Sequence, residues 1–145
     1  MSARRDPLAV VARVRRVREQ DSLLGYHQAA REQRQAEDAL AVARAQVLAA
    51  PRPGTADAAQ FVAQRELALG LSAVVTLREQ EADAARGLAA SAMSHWQLDR
   101  SRLRSIEMLQ ERRRLARLEE RRVLEAAAQD EAATQLWRRT RGQAS

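Results

Sequence analysis

The side chains that could carry proton or metal chemistry are few and poorly spaced for it. There are two histidines, His27 and His95, and no cysteine. The missing cysteines exclude disulfides, thiolate nucleophiles and Cys-ligated metals. If the chain folds back tightly at its one strong breaker, His27 and His95 do not face each other, and each is expected on a solvent-exposed face. The neighbours Glu119 and Glu120 sit among arginines, as helix-surface ion pairs do. Glu111 with Arg114, and Glu120 with Arg117, have the spacing for such pairs. The five glycines are scattered, so there is no loop to cradle a phosphate. The expectation is therefore a non-enzymatic protein with no catalytic residues, no cofactor, no metal site and no small-molecule substrate.

What the chain has in quantity is arginine. All 25 of its basic residues are Arg, with no Lys, against 19 acids, for a formal charge of +6. Residues 1–19 and 99–145 each carry +4, whereas 20–98 carry −2. Arg112-Arg113-Arg114 is the longest arginine run, and Arg121-Arg122 follows it. Guanidinium groups donate in a planar fork and suit a docking surface for an acidic or backbone-rich partner, although a solvated helix face accounts for the same residues.

The elements that must position these groups are helices. Ala is the commonest residue, at 31 of 145, and only Tyr26, Phe61, Trp96 and Trp137 are aromatic. Strand formers are too scarce for a sheet, and the dominance of Ala, Glu, Leu and Arg is that of a coiled coil. Pro51-Arg52-Pro53-Gly54-Thr55 is the strong breaker. The chain is read as one coiled-coil domain, 1–145, with helix 1 at about 8–50, a turn at 51–55 and helix 2 at about 56–138. Pro7 suits a first helical turn, and Thr55 or Asp57 offers the second N-cap, with Gln60 spaced for a capping box. In helix 2, Phe61, Ala68, Val75, Ala82, Ala89, Trp96 and Leu103 recur every seven residues. Their partner positions are Gln64, Leu71, Arg78, Ala85, Ala92, Asp99 and Ile106. Helix 1 repeats Ala29, Ala36, Ala43 and Ala50 with Tyr26, Gln33, Leu40 and Val47, while Val10, Val17 and Leu24 suggest a different register before a break within 24–35. Such periodicity predicts an all-α, long antiparallel two-helix coiled-coil hairpin. With Ala50 opposite Ala56, Leu8 would face Leu98, and helix 2 would overhang helix 1 by about 40 residues, or ~60 Å. Trp96 falls in the seam. Trp137, Leu109, Leu115, Leu118 and Leu136 fall on the overhang, where an apolar strip is costly to leave wet.

These features resemble the flagellar export protein FliJ family over nearly the whole chain. The resemblance rests on Leu23-Leu24-Gly25 followed by Gln35-Ala36-Glu37, on Gln60-Phe61-Val62, and on Trp96 followed by Leu109-Gln110-Glu111-Arg112 and Asp130-Glu131-Ala132. It implies a stalk-like part of the flagellar type III export apparatus. The base of the hairpin would dock in the pore of the hexameric export ATPase FliI, the tip side would reach the export gate FlhA, and the protein would escort export chaperones. On the base, Leu109, Glu111, Arg112, Arg113 and Arg114 are the expected ATPase-docking residues. Phe61 and Ala68 match the family's gate-contacting positions, and the helix 1 part of that surface falls on Ala39, Ala43, Gln46 and Ala50. The absence of Lys and the scarcity of aromatics near the tip depart from the family.

Three alternatives fit some of the same residues: the corresponding stalk of a virulence-type III secretion system, an Arg-rich nucleic-acid-binding coiled coil, and a passive structural coiled coil. The acidic middle and the interleaved glutamates disfavour nucleic acid. No apolar run approaches the ~20 residues that span a bilayer, and none resembles a signal peptide. The expected location is the cytoplasm, peripheral on the inner membrane at the flagellar base.

Overall fold

The computed structural model describes residues 6–52 and 57–144. The described residues are 96% helical, in two long helices packed against each other. Helix α1 is Pro7–Ala49 and α2 is Ala58–Gln143. Each start follows from its cap. Asp6 accepts the Leu8 N–H on Oδ1 at 3.1 Å, and its carbonyl accepts the Ala9 N–H, with Pro7 in the first helical position. Asp57 accepts the Gln60 N–H on Oδ1 at 2.8 Å, and its carbonyl accepts the Phe61 N–H. Helix α1 ends in a tightened turn, Ala50 N–H to Val47 O, immediately before Pro51. The expected reversal at 51–55, including Thr55 as a cap, lies mostly outside the described residues.

The chain divides into two compact units, Arg15–Ser101 and Met1–Val14 with Arg102–Ser145. In the first, α1 buries or half-buries Arg15, Glu19, Ser22, Tyr26, Ala29, Gln33, Ala36, Leu40 and Ala43, alternating steps of four and three. On α2 the heptad positions Leu71, Val75, Arg78, Ala82, Ala85, Ala89, Ala92, Trp96 and Asp99 do the same. This spacing is knobs-into-holes packing, thin because alanine is the commonest knob, at Ala29, Ala36, Ala43, Ala82, Ala85, Ala89 and Ala92. In the second unit Ala12 and Leu103 are buried, and Ile106 is half-buried.

Two expectations fail. The register break in α1 does not exist: Val10, Val17 and Leu24 are exposed, and the seam follows Ala12, Arg15, Glu19 and Ser22 instead. Position relative to the seam, not hydrophobicity, decides which residues face α2, because long polar side chains can bury their stems there. The pairing register also differs. Arg44 meets Glu79, Glu37 meets Arg86, and Tyr26 stacks on Trp96. These pairs displace α2 by about 16 residues from a tight-turn hairpin with Ala50 opposite Ala56. The early turns of α2, about residues 58–70, therefore run past the end of α1. At the other end Asp6 shares a groove with Arg113, Ala116, Arg117 and Glu120, so Leu8 does not face Leu98. The part of α2 beyond the start of α1 is correspondingly shorter, about 23 residues or ~35 Å.

Candidate functional site

In the Arg15–Ser101 unit the register is pinned by the few large or charged seam residues. The Trp96 indole N–H donates to Glu19 Oε1 at 2.9 Å, the ring stacks on Tyr26 at 6.0 Å between centroids, and the Arg100 guanidinium lies 5.4 Å from its centre. Further along, Arg86 Nε donates to Glu37 at 3.0 Å, and Arg44 donates to Glu79 at 2.9 Å. The Gln33 amide, and then Arg86, hold the Glu37 carboxyl below its ordinary pKa. His27 and His95 stand at one level in this register, contrary to expectation, and both are exposed. His27 packs beside Tyr26, and His95 lies 3.5 Å from the buried Asp99. Among the described residues no group of His, Cys, Asp and Glu could hold a metal.

Phe61 and Ala68 lie on the early turns of α2, beyond the end of α1. Both are exposed, Phe61 at 45%. Nearby, Val47, Leu48, Ser72, Val75 and Thr76 line an open apolar depression at the end of α1, with Arg44 at its edge. Ala43, expected on the same surface as Phe61 and Ala68, is buried in the seam and offers nothing to a partner. Gln46 is exposed, and Ala39 and Ala50 are partly covered.

In the other unit every described residue from Glu111 to Ala144 is exposed. Leu109 sits at the surface with Ser105, Met108 and Arg112 in a shallow depression. Arg114 grips Glu111 through two hydrogen bonds, Nε at 2.9 Å and Nη2 at 2.7 Å. That bidentate pair lowers the Glu111 pKa and raises that of Arg114. Arg113 lines the groove with Asp6, so helix α1 does reach its level, although it had been expected to fall short. Arg117 donates to the Arg113 carbonyl at 3.3 Å. The five expected docking residues thus share about one and a half turns of a continuous helix. Arg112 and Arg113 present cations there, while Arg114 is engaged with Glu111. Farther along, Leu115, Leu118, Val123, Leu124, Leu136 and Trp137 are exposed apolar groups.

The heptad repeats place Tyr26 and Trp96 each in a seam without pairing them. Setting the two bulkiest seam residues against each other would have given the observed register, because a seam of alanines has room for them only where they meet.

The class of fold is an all-α helical hairpin, and on its longer helix arginines and apolar side chains are exposed together from Glu111 to Ala144. The chain belongs to the flagellar FliJ protein family, whose model matches residues 4–142. Neither the curated proteins nor the solved structures gave a significant match. The family is non-catalytic, and membership supports a role related to flagellar export. No helix among the described residues is long and apolar enough to cross a membrane.

Proposed function

We propose that the protein is the central-stalk-like component of flagellar type III export. It docks in the hexameric export ATPase FliI through Leu109, Glu111, Arg112, Arg113 and Arg114, reaches the export gate FlhA through Phe61 and Ala68, and escorts export chaperones. It works in the cytoplasm, held peripherally at the flagellar base by these partners. The observation that carries the reading is the uniform exposure of Glu111 to Ala144 on a helix that stays regular to Gln143. Apolar groups displayed along such a helix are costly in water and are covered when a partner encloses it. A ring with an acidic pore lining supplies both the cover and the opposite charge.

The test is ATPase activity titrated with wild type and with the double variant Arg112→Glu, Arg113→Glu at physiological salt. The variant keeps its helicity and melting behaviour but loses association with the ring and stimulation of it. Equal stimulation by the two proteins removes this segment as the docking element. Salt-sensitive retention on duplex DNA without ATPase binding replaces the stalk with a nucleic-acid role.

A further inference from the structure

The last turns of α2 differ from the rest of the uncovered segment. From Glu119 to Glu131 five acids stand against Arg121 and Arg122, whereas from Ala132 onward there is no Asp or Glu, and Arg138, Arg139 and Arg141 supply three positive charges. At 100° per residue, Ala133, Leu136, Trp137 and Thr140 share one face of the helix. Trp137 is 56% exposed and Leu136 is also open to water. The Arg141 guanidinium lies over the Trp137 ring, 4.6 Å from its centre. The hydroxyls nearby are satisfied internally. Thr140 Oγ1 donates to the Leu136 and Trp137 carbonyls at 3.1 and 2.9 Å, and Thr134 Oγ1 donates to the Asp130 carbonyl at 2.8 Å. The face therefore presents methyl groups and one indole ring, bordered by Arg141 on the Trp137 side and by Arg139 on the Leu136 side, with Arg138 farther round the helix.

We propose that this terminal patch, Ala133–Arg141, binds an anionic phospholipid surface directly, as a contact additional to any protein docking along the helix. An interfacial tryptophan beside leucine, with cations nearby and no acidic side chain from Ala132 onward, matches a boundary that is apolar below and negative above. Charge complementarity is local. An extended polyanion lying along the helix would meet the five acids just upstream, whereas a surface met by the terminal turns alone would not. Nor would a nucleic acid bury Leu136, which lies beside Trp137 on the same face.

The experiment uses the full chain carrying Trp96→Phe, so that Trp137 is the only tryptophan. The protein is mixed with phosphatidylcholine vesicles with and without about 30 mol % phosphatidylglycerol, in versions with brominated acyl chains. Emission is expected to shift to the blue and to be quenched by the brominated lipid only in the anionic vesicles. Each of Arg138→Gln, Arg139→Gln and Arg141→Gln should weaken partition about fivefold. Trp137→Ala in the otherwise wild-type chain should reduce vesicle flotation with helicity intact. Absent quenching, equal partition onto neutral vesicles, or full binding by the triple Gln variant overturns the proposal. A blue shift with duplex DNA but none with anionic vesicles also overturns it, assigning the patch to nucleic acid. The readout contains no ATPase, so its outcome is independent of the stalk reading.

Discussion

Leu40→Ala tests whether the alanine seam holds the hairpin. Leu40 is only 5% exposed and is the one leucine buried in the Arg15–Ser101 unit among its described residues, where Ala43, Ala82 and Ala89 supply the other buried apolar side chains. Truncating a buried leucine costs about 2–5 kcal/mol, rising with the cavity left behind. A two-helix seam has no third layer, so the helices can close part of the gap, and the cost belongs near the lower end, about 2–3 kcal/mol. For a chain of this length that lowers the melting temperature by about 5–10 °C. Leu48→Ala is the matched control. It deletes the same atoms from a side chain that is 82% exposed, and its effect should stay within about 0.5 kcal/mol. Far-ultraviolet circular dichroism melts and urea titrations of the full chain read both variants. Equal shifts would show that burial at Leu40 does not support the hairpin, and the packing described above would fall with it.

Four further outcomes follow from particular contacts. Exchanging the Arg44–Glu79 pair, as Arg44→Glu with Glu79→Arg, should recover about 0.2–1 kcal/mol lost in either single variant; additive single effects would refute the register. The Glu37 pKa is depressed in the folded state, so its contribution is present above the ordinary carboxylate value and is lost as pH falls through the lowered one. Below about pH 4.5, Glu37→Gln should therefore melt with a shallower pH dependence than wild type, and parallel profiles would refute this. Gly87→Ala should stabilise by about 0.5–1 kcal/mol, because an added Cβ there meets nothing within 4 Å, and a lower melting temperature would contradict it. Phe61→Ala should weaken gate binding in a pull-down while leaving melting and ATPase stimulation unchanged; a melting loss that accounts for all the lost binding would make Phe61 a structural residue instead.

The helices, Pro7 in the first turn of α1, the Asp57 cap and the α2 seam were legible because each depends on residues near in sequence: a ring that fits a first helical turn, a side chain that bonds a backbone N–H three positions on, or a repeat every seven. Register was not legible from the loop, because loop length limits how the helices can pair without choosing among pairings. The choice is made by groups far apart in sequence, Tyr26 against Trp96 and Glu37 against Arg86, which gain contact in one alignment only. The same physics hid the first turns of α1. Val10, Val17 and Leu24 attract attention by hydrophobicity, yet the seam takes Arg15 and Glu19, and Glu19 is the acceptor for the Trp96 N–H. The setting of the proposed docking segment was only half visible. Its arginines stand out in the sequence, but whether α1 reaches them depends on register, and α1 reaches the level of Arg113 through Asp6. This separates two kinds of arginine. Arg113 borders the start of α1 and can be affected by changes there, whereas Arg121, Arg122 and the terminal cluster stand beyond it. Removing Asp6 should therefore alter the surroundings of Arg113 and the capping of α1, but not the exposure of the terminal turns. A loss of ATPase binding in Asp6→Ala, with melting unchanged, would locate the docking edge at the start of α1 and not farther along α2.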